Sequence, residues 1–134
     1  MTHPFVLAVP SDKHDMVAVE RARTIGFPIL NPAIPDLLVW VQDINWPVAE
    51  PVADLLATAD KAIEPHLRDV LRSGDGDWVA FTLSYVCLQL APSVVEGLRP
   101  DIERIADDPT EAEVDSGCDE AARDVLLALE YAGR

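Results

Sequence analysis

Residues 62–73 read AIEPHLRDVLRS, and residues 97–108 read GLRPDIERIADD. Ile63, Leu67, Val70 and Leu71 of the first stretch recur, at a uniform shift of 35, as Leu98, Ile102, Ile105 and Ala106 of the second, and Pro65 recurs as Pro100. Their spacing puts the four apolar side chains of each stretch on one helical face. A second series alternates with this one. Val48, Val52, Leu55, Leu56 and Ala59 map at a shift of 31 onto Val79, Leu83, Val86, Cys87 and Leu90, and Cys118, Ala122, Val125, Leu126 and Leu129 repeat those offsets near the C-terminus.

Any amphipathic helix satisfies such offsets. Two helix series alternating in order, at a period of roughly 30 to 40 residues, are instead the mark of stacked helical hairpins. The expected fold is all-α: a short right-handed stack of hairpins, a HEAT-like α-solenoid of about seven helices in one domain spanning 1–134. The leading helix lies near 13–25 and the hairpins near 33–59, 61–91 and 93–132. In the leading helix Ser11 or Asp12 is the expected cap and Gly26 the stop. Ile34, Leu37, Leu38 and Val41 give the next helix its buried face.

Between that helix and its partner stands DINWPVAEP, residues 43–51. Asn45 is placed to cap the following helix, with Pro47 in its first turn, where no N–H is needed. Trp46 then closes the elbow of the hairpin, and Pro51, deeper in, is expected to bend the helix. Together SDKHDMVAVERARTIGF, LLVWVQDINWPVAEPVADLL and IEPHLRDVL resemble the bacterial family known as domain of unknown function 5071, over roughly residues 9–130. That resemblance implies a helical repeat fold and supplies no catalytic residue.

Against 24 acidic residues stand 10 Lys plus Arg, a formal charge of −14 that repels nucleic-acid phosphates and anionic membranes and favours a basic partner. Cys87 and Cys118 lie in dissimilar settings, so no structural disulfide is implied. The N-terminal patch FVLAV has no basic start and is too brief for a secretion signal or a membrane span, which makes a reducing cytoplasm the expected location. It is also the one strand-like run, and a lone strand makes no sheet.

Chemistry has no visible foothold. His3, His14 and His66 show no metal-ligand spacing, SGDGD at residues 73–77 reads as a turn, and neither a nucleophile elbow nor a phosphate-cradling loop occurs. No catalytic residue, metal site or cofactor is assigned. The acidic run at 107–120, with seven acids and no base, is expected to be a solvated loop, long enough to mark a place to look for function.

Helical hairpin arrays bind partners on the surface lined by their second helices. Glu50 and Asp54 stand opposite the apolar face of one such helix, and the 31-residue shift carries them onto Phe81 and Tyr85. An acidic rung beside an aromatic rung suits a partner presenting Lys or Arg around an apolar anchor. The first expectation is therefore a non-enzymatic protein–protein interaction module, of the acidic immunity or antidote type that masks a basic toxin. The alternative is a small-ligand-binding protein or enzyme with a pocket at Lys13, His14, Asp43 and Trp46. A third is an assembly partner with an apolar patch at Phe81 and Tyr85.

Overall fold

In the computed structural model, which describes residues 5–133, the elements are helical: α1 (Met16–Ile25), α2 (Ile34–Leu38), α3 (Ala49–Leu56), α4 (Glu64–Leu71), α5 (Gly76–Thr82), α6 (Pro92–Val95), α7 (Arg99–Asp107), α8 (Glu111–Asp115) and α9 (Cys118–Ala132). No strand occurs among the described residues, and FVLAV forms a 3-10 turn, Val6–Ala8. His3 lies outside the described residues. None of the described helices is long and apolar enough to cross a membrane.

Proline starts the first helix of each pair. Pro35, Pro65 and Pro100 each occupy the second position of α2, α4 and α7, behind the 3-10 turns Asn31–Ala33, Lys61–Ile63 and Glu96–Leu98. A first-turn N–H has no intrahelical acceptor, so its loss at proline costs nothing and the ring's fixed φ favours the helix. The 35-residue shift from Pro65 to Pro100 therefore records two of these three helix starts.

Helix α2 packs on α3, α4 on α5, and α7 on α9; α4 also meets α7, and α3 and α9 both meet the continuation of α5. That continuation is a π-helical turn, Leu83–Cys87, closed by Leu88 N–H donating to Leu83 O at 3.2 Å. The apolar faces read from the sequence are all buried except Leu126, which is half-buried, and they join one cluster running from Ala8 to Leu129. Each fully buried Leu or Ile stabilises the fold by about 1.5–3 kcal/mol relative to exposure.

Several local expectations are corrected. Asp15, not Ser11 or Asp12, caps α1: its carboxylate accepts Ala18 N–H at 3.2 Å and both the N–H and the hydroxyl of Ser11 at 3.0 Å. These bonds, led by that from the Ser11 N–H, hold the Asp15 carboxyl below its usual range. Gly26 ends the helix with φ 67°.

Asn45 caps nothing. Its N–H donates to Asp43 Oδ1 at 2.9 Å, forming a turn that delays α3 to Ala49 and leaves Pro47 outside it. Pro51 is then the third residue of α3, still within the first turn, and bends nothing. The acidic run is not a solvated loop either. It contains α8, begun by a capping box in which Thr110 and Glu113 satisfy each other's backbone N–H groups.

Candidate functional site

Asp75 opens the helix that carries the candidate face, its carboxylate accepting Trp78 N–H at 3.2 Å. From there Trp78, Phe81 and Tyr85 follow at spacings of three and four, which align them along one stripe of α5 and its π-turn. All three are half-buried, packing inward on the core while leaving part of each ring to solvent. Phe81 and Tyr85 meet edge to face, with ring centroids 6.5 Å apart and planes at 69°. Trp78 is fixed from a distant part of the chain, its Nε1–H donating to Leu38 O at 3.0 Å.

Carboxylates flank this ridge. Glu50 and Asp54 are exposed on α3, and Gln89 ties the second of them to the ridge by donating to Asp54 Oδ1 at 2.9 Å and to Tyr85 O at 2.7 Å. On the α4 side Asp69 stands beside Trp78 at the rim of a small cleft. The 31-residue shift carries Asp54 onto Tyr85, and Gln89 links the two where α3 meets the π-helical turn. Trp78 escaped the sequence reading, although its position three before Phe81 and seven before Tyr85 was a usable signal.

Lys13, His14, Asp43 and Trp46 are drawn into one neighbourhood by the backbone, Val48 N–H donating to Lys13 O at 3.2 Å. Their side chains do not converge on a common bond. Lys13 and His14 are exposed, Asp43 closes the Asn45 turn, and Trp46 stacks edge-on against Trp40 with centroids 5.4 Å apart. Four clefts, at α1, beside Trp78, beside Cys87 and between α7 and α9, are lined by other residues.

A family model described as a domain of unknown function, DUF5071, matches residues 8–126. The chain belongs to the DUF5071 family. No curated protein matches it. The ridge and its flanking carboxylates all fall inside the DUF5071 match.

Charge in this DUF5071 domain is spent unevenly. Arg23, Arg68, Arg72, Arg99, Arg104 and Arg123 each pair with a carboxylate of the same chain, Arg68 and Arg72 both reaching Asp101 from α4 to α7. Among the described residues Glu50, Asp69, Asp77, Glu111, Glu120 and Asp124 have no such pairing. These six carboxylates stand exposed at the surface, while most of the cations are occupied internally.

The two thiols of the DUF5071 domain are poor nucleophiles. Burial pushes Cys87 up to about 12 and, with a smaller contribution from Glu113, Cys118 up to about 11. Cys118 Sγ lies 3.0 Å from Gly76 O, which it meets as a donor, so it serves to join the start of α9 to the start of α5.

Proposed function

We propose that this chain is a non-enzymatic protein-binding module, a HEAT-like stack of helical hairpins whose second-helix face takes a basic protein partner. The observation that carries it is the half-exposed ridge of Trp78, Phe81 and Tyr85 with Asp54 and Asp69 beside it and Glu50 exposed on α3. Rigid aromatic rings supply contact area at low entropic cost, and unpaired carboxylates steer a cationic partner toward them. An antidote that masks a basic toxin is one role of this kind. The free buried thiols suit a reducing cytoplasm.

Stopped-flow association with a partner purified from the source cell tests the proposal. The on-rate falls several-fold as salt rises from about 0.05 to 0.3 M, because screening lengths shorten over that range. Phe81→Ala and Tyr85→Ala raise the off-rate about tenfold or more, with the on-rate nearly unchanged. An acidic partner, or an on-rate indifferent to salt, rejects it.

A further inference from the structure

Pro35, Leu38, His66, Asp69, Val70 and Trp78 line a cleft of about 180 Å³ where α2, α4 and the start of α5 meet. Clefts that enclose drug-sized ligands run to roughly 300–1,000 Å³, so this one has room for a single side chain. Its chemistry is one-sided. The exposed Asp69 carboxylate has neither an ion pair nor a hydrogen bond among the described residues, and the His66 ring has no partner either. No Lys or Arg enters the lining: Arg68 on α4 and Arg72 just past its end are both drawn to Asp101, at 3.5 and 2.7 Å. An anionic ligand would meet Asp69 unopposed.

We propose that this cleft receives an arginine side chain of a basic partner protein. The guanidinium lies against the Trp78 indole and donates to the Asp69 carboxylate, while its methylene stem covers Val70 and Leu38. Arginine satisfies both demands at once, since a planar, weakly hydrated guanidinium can stack on an aromatic ring and still direct N–H groups to a carboxylate. The Nε1–H bond to Leu38 O holds the indole in place before anything binds, so little ordering cost remains. Trp78 belongs to the same stripe as Phe81 and Tyr85, which makes this cleft one end of the proposed face. It rests on the chain being a binder of a basic protein and adds the residue that anchors the partner.

The test is a titration of the ¹⁵N-labelled full chain with N-acetyl-arginine amide, followed at the indole N–H signals of its 3 tryptophans. Trp78→Phe identifies the Trp78 signal. A saturable shift of that signal is expected, with Trp40 and Trp46 still, and Asp69→Asn weakens the apparent affinity about threefold or more. Asp69 is exposed, so this variant keeps its melting temperature. N-acetyl-citrulline amide, the uncharged isostere, leaves the signal in place. An unmoved Trp78 signal with the arginine probe, an equal response to citrulline, or tighter binding of N-acetyl-lysine amide overturns the assignment. If the probe fails while a purified basic partner still associates in a salt-dependent way, the cleft assignment falls and protein binding stands. If the probe occupies the cleft but the native partner is acidic, the cleft assignment stands and the proposed function falls.

Discussion

The Arg104 guanidinium holds the Glu113 carboxylate through two N–H···O bonds of 2.6 Å, joining α7 to α8 across nine residues of chain. Glu113 is only 2% exposed, and its Oε1 also accepts the Thr110 N–H at 2.8 Å. The Arg104 bonds, ahead of the Thr110 ones, hold its carboxyl below the ordinary value of 4.5. A depressed carboxyl contributes stability that is present in full above the unfolded-state value and lost as pH falls through the lower folded-state value. Thermal melts from pH 7 downward should therefore show stability falling away below about pH 4.5. Glu113→Gln should lose about 2–3 kcal/mol at pH 7 and show a shallower acid limb. Equal acid limbs in the two proteins would remove Glu113 from this role.

Gly76 is needed for close approach rather than for a turn. A Cβ there would run into the Ser116 side chain and stand 2.7 Å from Ala112 O, where the start of α5 meets α8. Backbone cannot move aside as a flexible side chain can. Gly76→Ala should cost about 1–3 kcal/mol by urea denaturation, as overpacking does.

Thr82 is fully buried, and its Oγ1 has no hydrogen-bond partner among the described residues. Its desolvation is therefore uncompensated. Replacing the hydroxyl with a methyl of similar shape removes that penalty, so Thr82→Val should raise stability by about 1 kcal/mol. A lower melting point for Thr82→Val would mean that the hydroxyl is satisfied in solution.

Trp46 is half-buried against Trp40 and not sealed in the core. Truncating a fully buried large aromatic costs about 3–5 kcal/mol, whereas Trp46→Ala should cost about 1–2 kcal/mol. Pro51→Ala should leave stability within about 0.5 kcal/mol, because the third helical position tolerates proline without a lost bond. Paired chemical denaturation curves check both values.

The apolar faces were legible because burial in a helix imposes a period that a window of a dozen residues displays. The apolar residues read between Val48 and Ala59 and between Ile63 and Leu71, and their shifted counterparts except the half-buried Leu126, are buried as their spacing requires. Asn45 misled because its neighbour Asp43 is an equally good acceptor, and the turn that Asp43 forms moved the helix start by a full turn. For the candidate face, Glu50, Asp54, Phe81 and Tyr85 were found through the repeat, but the Gln89 bridge between Asp54 and Tyr85 depends on a side chain that the shift does not single out.

By itself the sequence determined the all-helical class and the helical faces that are buried, both of which are local matters of spacing and backbone chemistry. Only the tertiary structure decided that the acidic run folds onto Arg104, that Gly76 lies under Ser116 and that Trp78 closes a cleft with His66 and Asp69. Those relationships arise from the angle and distance at which separate helices pack. Such quantities depend on how whole faces interlock, and no short stretch of residues encodes them.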